Sequence, residues 1–300
     1  MKKGFFIFIA LMSVVSLYCF AAAGQTKTSM TVFVSILPQA YFLERIGGQR
    51  IEVEVLVGEG QSPATYEPSP QQMAKLSSAK AYFAIGVPFE KNFVNKIRQS
   101  HRELVVVETQ RGVPYRYVDS HRHDHDGKAS GKGHGRIPDP HIWMDPKLVK
   151  VQARNIFDAL CRLDPENAKG YSENLKAFLS DLDRVDKRIA STLAPFKGDS
   201  MYVFHPAFGY FANSYGLHQV PIEIEGKEPG ARQLADIIEK AKKDRVRVIF
   251  VEPQFSKKSA EAIARAIGGV VVPINPLSRD YLSNLEKIAS AIEKGLFRGR

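Results

Sequence analysis

Strand-like and helix-like patterns alternate along this chain twice over, separated by about fifty residues of purely helical pattern. Thr31 to Ile36 reads as a strand, and Pro38 opens a helix through Ile46 that Gly47 and Gly48 stop. Ile51 to Val57 alternates with period two, as a half-buried strand does. Ser69-Pro70-Gln71-Gln72 is a capping box with proline at the first helical position. Ala81 to Ile85 is a strand, Phe89 to Arg98 a helix, and Leu104 to Val107 a short buried strand. The second run has strands at Met201–Phe204, Val220–Ile224, Val246–Val251 and Val270–Ile274. Its helices are Ala207–Tyr215, Ala231–Lys243, Lys257–Ile267 and Arg279–Leu296. Strands joined through helices return in the same direction, so each run predicts a mostly parallel sheet.

Between the runs, Lys147 to Arg162 reads as one helix, and Asp164-Pro165-Glu166 begins a longer one. The apolar stripe of the longer helix is Tyr171, Leu175, Phe178, Leu182, Val185, Ile189 and Leu193, spaced by three or four, and it ends before Pro195. The fold class expected is therefore α/β, with two lobes, each a mostly parallel sheet flanked by helices, joined by a long helix. The boundaries expected are 30–163 for the first lobe, 164–196 for the linking helix and 197–300 for the second lobe.

Residues 1–23 have the form of a secretory signal peptide. Lys2 and Lys3 are followed by the apolar run Gly4 to Phe20 and by Ala21-Ala22-Ala23 at the cleavage site. Tyr18 before Cys19 is not the small residue that a lipid-attachment box needs, so cleavage to a free periplasmic protein is expected, with an uncleaved anchor as the alternative. Removing residues 1–23 takes two lysines and no acids, reducing the net charge from +10 to +8. Basic residues alternate with acids, as in Glu239 to Arg245, and no zinc-finger or RNA-recognition signature accompanies them. A solvated basic surface is expected rather than a nucleic-acid interface. Cys161 would be the sole cysteine after cleavage, a small buried hydrophobe rather than half of a disulfide.

Residues 110–138 have no periodicity and carry His121, His123, His125 and His134 among glycine, lysine and serine, which reads as a mobile surface loop with weak metal contact. Asp139-Pro140-His141-Ile142-Trp143-Met144-Asp145-Pro146 follows and holds the only tryptophan. Proline disfavours helix at the residue before it, so His141 sits in extended backbone beside an apolar anchor. In open α/β sheets ligands bind beyond the carboxyl ends of strands. The loop around Ala64, His141, His205, Glu252 and Asn275 all fit that placement, which describes a receptor holding something small between two lobes.

Across the region after the leader the chain resembles the zinc-type periplasmic solute-binding receptor of bacterial metal ABC importers. The resemblance is carried by Pro63-Ala64-Thr65-Tyr66-Glu67-Pro68-Ser69-Pro70, by Asp139 to Pro146, and by Phe204-His205-Pro206-Ala207-Phe208-Gly209-Tyr210-Phe211. Glu252-Pro253-Gln254-Phe255-Ser256 and Pro276-Leu277 with Tyr281 complete it. It implies metal ligands at His141 and His205, with Zn2+ as the transported ion and Mn2+ or Cu2+ as the alternatives, since imidazole suits zinc and carboxylate-rich sites suit manganese.

Two further ligand positions of that pattern are altered. A histidine is expected where Ala64 stands, and an aspartate where Asn275 stands. A weakened site is expected, completed by a loop histidine, by Glu67 or Glu252, or by nothing from the chain.

The function expected is a monomeric periplasmic receptor that delivers zinc to an ABC permease in the inner membrane. A metal-blind or adhesion-type protein on the same scaffold is the alternative. An enzyme is not expected, because a zinc hydrolase would need chemistry that no His-Glu-x-x-His, Gly-x-Ser-x-Gly or Walker motif supplies.

Overall fold

The computed structural model describes residues 29–118, 137–223 and 226–297. Strands β1 (Met30–Ile36), β2 (Ile51–Val57), β3 (Ala81–Ala84) and β4 (Val105–Glu108) form a fully parallel sheet in the order β2-β1-β3-β4. Helices α1 (Leu37–Gly47), α2 (Pro70–Ser77) and α3 (Glu90–Ser100) make the crossovers. The capping box forms as its residues require: Gln72 N donates to Ser69 Oγ at 3.2 Å, and Ser69 N donates to Gln72 Oε1 at 3.0 Å. Gln72 Nε2 also reaches Leu56 O at 2.9 Å, tying α2 to the end of β2.

The expectation of a buried strand at Leu104–Val107 is corrected. β4 is the edge of the sheet, and Val105 is 41% exposed. An unbroken apolar run fits a buried strand and a one-sided edge strand alike.

Two-residue strands β5 (Tyr117–Val118) and β6 (Ile137–Pro138) pair antiparallel at the two ends of the histidine-rich stretch. His121, His123, His125 and His134 lie outside the described residues. Helices α4 (Pro146–Leu163) and α5 (Ala168–Leu193) follow, and a 3-10 turn over Pro165–Asn167 precedes α5. Along α5 the stripe Tyr171, Phe178, Leu182, Val185, Ile189 and Leu193 is buried. It packs on α1 and α4 from the first lobe, and on α6 (Gly209–Tyr215) and α9 (Tyr281–Phe297) from the second. Cys161 is half-buried at the margin of this core rather than enclosed in it.

The second sheet is also parallel, in the order β10-β9-β7-β8, formed by β7 (Ser200–Val203), β8 (His218–Pro221), β9 (Val248–Val251) and β10 (Val270–Pro273). Helices α7 (Ala231–Lys243) and α8 (Lys258–Ala266) connect them. Strand β8 lies two residues before the Val220–Ile224 expected for it, because Gly216 (φ +76) ends α6 and the chain turns at once onto β7.

Counted within its own lobe, each sheet has its second strand outside its first and its third and fourth on the other side. The two faces of the second sheet separate by period two. Met201, Val203, Val248 and Phe250 join the main core, whereas Tyr202, Phe204, Ile249 and Val251 pack with α7 and α8.

Such an order creates a crevice beyond the first and third strands, where the crossovers diverge. In the first lobe the chain fills this place itself. Glu90 accepts hydrogen bonds from Ile85 N at 3.0 Å, Gly86 N at 2.6 Å, Tyr82 Oη at 3.2 Å and Ser35 Oγ. Gln39 Nε2 donates to Phe83 O at 3.1 Å beside it.

Trp143 joins the lobes. Its indole Nε1 donates to Pro276 O at 2.8 Å, and Tyr281 Oη donates to Trp143 O at 2.6 Å. Tyr281 in turn meets Phe42 edge-to-face, with centroids 4.8 Å apart. Ser214 Oγ donates to Asp145 Oδ2 at 2.5 Å, and Asp145 caps α4 through Lys147 N at 2.8 Å. Among the described residues no helix is long and apolar enough to cross a membrane.

Candidate metal centre

His205 follows β7 at the crevice of the second lobe, where Phe204 N still pairs with Phe250 O at 2.8 Å. His141 comes from the turn after β6, not from the end of a main-sheet strand as its placement beyond a strand end had suggested. The expectation that His141 lies in extended backbone is corrected: at φ −79° and ψ 41° it sits in a turn closed by Ile142 N donating to Pro140 O at 2.8 Å, and Ile142–Met144 forms a buried 3-10 turn after it. The two imidazoles meet across the lobes. Their Nε2 atoms are 3.2 Å apart, and their ring centroids 5.1 Å apart.

Each ring is held from behind by a carboxylate. His141 Nδ1 donates to Asp139 Oδ1 at 2.8 Å, and His205 Nδ1 donates to Glu223 Oε1 at 2.7 Å. A carboxylate only accepts, so each ring carries a proton on Nδ1 and turns its Nε2 toward the other ring. With both Nε2 atoms unprotonated, their lone pairs would face one place where a cation fits between them; with one protonated, the same contact is a hydrogen bond. Nitrogen ligands lie about 2.0–2.1 Å from zinc, which puts two on adjacent corners of a tetrahedron about 3.3 Å apart. The observed spacing matches that figure. Burial holds the His141 imidazole below its usual pKa range, although the Asp139 hydrogen bond opposes the shift, so this ring is neutral at pH 7.

The carboxylates are themselves positioned. Asp139 is buried, receives His141 N at 3.0 Å, and has Arg116 Nη1 3.6 Å from its other oxygen. Tyr210 Oη donates to Asp139 O at 3.0 Å and receives Arg116 N at 2.9 Å. Gly209 makes this approach feasible, because a Cβ there would stand 1.9 Å from Arg116 Nη1 and 2.8 Å from Asp139 Oδ2. Glu223 N donates to Phe204 O at 3.0 Å, which brings the end of β8 beside His205. Phe255 stacks on the His205 ring at 4.9 Å, and Trp143 meets His141 edge-on at 5.2 Å.

The other positions singled out in the sequence contribute no ligand here. Ala64 and Glu67 are exposed. The side-chain oxygen of Asn275 accepts Leu277 N at 2.9 Å and so serves the local turn. Glu252 is fully buried and accepts His205 N, not its ring, at 3.2 Å. Burial pushes its carboxyl up to about 8, so it is uncharged at neutral pH and supplies no anion. Among the described residues no group of three or more His, Cys, Asp or Glu side chains could hold a metal.

The sequence reading named neither Asp139 nor Glu223 as a partner of these rings. Asp139 was legible as the acidic residue two before His141. Glu223 was hidden by its assignment to the interior of a strand.

Two parallel α/β lobes, a helix packed against both, and an imidazole pair between them have the form of a solute-binding receptor. The chain belongs to the ZnuA family, "Zinc-uptake complex component A periplasmic", whose model matches residues 32–295. It is 28% identical over 291 residues to the "Zinc-binding protein AdcA" of Streptococcus pyogenes, covering 92% of this chain and 56% of that protein. The chain thus spans little more than half the length of that relative. It is 27% identical to the "High-affinity zinc uptake system protein ZnuA" of Bacillus subtilis, covering 86% of this chain and 84% of that one. A crystal structure of ZnuA superposes with a TM-score of 0.82 at 40% identity, over 89% of this chain and 99% of that chain.

Proposed function

We propose that this protein is the periplasmic receptor of a zinc importer, binding one zinc ion between its lobes and delivering it to an ABC permease in the inner membrane. His141 and His205 are the ligands. The observation that carries this reading is the 3.2 Å separation of two Nε2 atoms whose opposite nitrogens are both committed to carboxylates. Zinc binding by the AdcA and ZnuA relatives supports it. With Ala64 and Asn275 in place of donors, the site is weaker than one with four protein ligands. The chain acts as a monomer, exported by cleavage of residues 1–23. Its lobes are 30–163 and 197–300, joined by the helix within 164–196.

A metal-blind adhesion protein on this scaffold would have no use for two buried carboxylates that turn a pair of imidazole Nε2 atoms toward each other.

The test is calorimetric titration of metal-stripped protein with zinc at pH 7.5, alongside the His141→Ala/His205→Ala double variant. Binding at one equivalent, abolished in the variant, is expected. Equal binding by both proteins would refute the assignment.

A further inference from the structure

We infer that Tyr210 is a positioning residue of the metal site: from the lobe that carries His205, its hydroxyl sets the place of Asp139 and, through Asp139, the tautomer and aim of His141. This rests on the metal-receptor reading and deepens it. Strands β5 and β6 pair Tyr117 with Pro138 and Val118 with Ile137, so the next facing pair is Arg116 and Asp139. In an antiparallel ladder every other facing pair exchanges two backbone hydrogen bonds. Here Asp139 N donates to Arg116 O at 2.8 Å, which is one of the two. The return bond is routed through the tyrosine: Arg116 N donates to Tyr210 Oη at 2.9 Å, and Tyr210 Oη donates to Asp139 O at 3.0 Å. One hydroxyl oxygen has thus entered the ladder at the residue whose carboxylate holds His141 Nδ1. It lengthens one side of the pair and not the other, so the Asp139 backbone is turned relative to a regular ladder.

The surroundings fix this insertion. Tyr210 is buried, and its ring lies 5.6 Å from the Arg116 guanidinium carbon. Gly209 lets α6 come this close, because a Cβ there would stand 2.8 Å from Asp139 Oδ2. Burial pushes the Tyr210 phenol up to about 12, so the proton it donates is present at neutral pH. Asp139 Oδ1 receives both His141 N at 3.0 Å and His141 Nδ1 at 2.8 Å, so any turn of Asp139 disturbs two bonds to the ligand at once. On the other side of His141, Trp143 is held by Pro276 O and Tyr281 Oη. The second lobe therefore grips the His141 segment at both ends, and the lobe that carries one imidazole orients the other.

The experiment compares the parent chain with Tyr210→Phe, which keeps the ring and removes one hydroxyl. Tyr171→Phe is the control for lost stability alone, because it removes another buried hydroxyl, bonded to Asp164 Oδ2 at 2.6 Å. Each metal-stripped full chain is titrated with zinc by calorimetry at pH 7.5. The tautomer of His141 is read by NMR of the imidazole nitrogens in labelled, metal-free protein, its signal being the one missing from His141→Ala. About tenfold weaker zinc binding is expected for Tyr210→Phe, with circular dichroism unchanged and Tyr171→Phe binding as the parent does. In Tyr210→Phe the His141 signal should pass from the Nδ1-protonated tautomer to a mixture with the Nε2-protonated one, which a purely structural role would not produce.

Parent-like zinc affinity in Tyr210→Phe, an unchanged His141 tautomer, or an equal loss of affinity in Tyr171→Phe overturns the inference and leaves the receptor reading intact. A parent chain that binds no zinc overturns the receptor reading as well.

Discussion

Asp139 and Glu223 decide whether His141 and His205 are ligands or merely neighbours. Removing either charge while keeping its shape releases one ring from its tautomer. Asp139→Asn and Glu223→Gln should each lower zinc affinity about 10–100-fold with the fold intact by circular dichroism, and unchanged titration curves would refute this role. Glu252 gives a second prediction at this scale. Its folded carboxyl titrates near 8 against an ordinary 4.5, so the folded chain holds a proton that the unfolded chain has lost. The stability this confers is complete below about 4.5 and falls as pH rises through 8. Melting temperature of the stripped protein should therefore decline from pH 6 to pH 9, and Glu252→Gln should flatten that decline.

His205 was legible as the residue that follows a strand, whereas His141 stood out only through its motif, because its backbone is a turn and not the extended segment expected from the prolines. Their carboxylate partners were harder to find because partnership is a tertiary fact. His205 and Glu223 are eighteen residues apart, on adjacent strands whose pairing no local pattern states.

At the scale of elements, the capping box shows how one side chain can organise a loop. Gln72 receives Ser69 N and Tyr66 Oη (2.6 Å), and donates to Leu56 O. Ser69→Ala removes one cap acceptor and should lower stability by about 1 kcal/mol in urea unfolding. Gln72→Ala strands three groups at once and should cost roughly twice that; equal effects would show that the loop contacts contribute nothing.

Periodicity located every main strand and helix to within a few residues. It failed on environment rather than on type. Nothing in Leu104-Val105-Val106-Val107 tells an edge strand from a central one, because that depends on what pairs beyond it.

Across the molecule, the lobes share one core rather than meeting at a wet boundary. The main cluster runs from β1 through α5 to Leu277, Tyr281 and Leu285 of the second lobe, with Trp143 buried within it. Trp143→Phe keeps an aromatic ring but leaves Pro276 O without its donor, so a loss of about 1–3 kcal/mol is expected. Unfolding of the parent protein should remain a single transition by calorimetry. Two resolved transitions would mean that the halves are energetically independent.

The repeated strand order gives this architecture two geometrically equivalent crevices, but it assigns them opposite fates. Glu90, anchored by the Ile85 and Gly86 amides, stoppers the first from within, whereas the second opens toward His141. If the proposed site is right, this doubled plan holds a single ion, because the Glu90 carboxylate and its amide partners occupy the corresponding place in the first lobe.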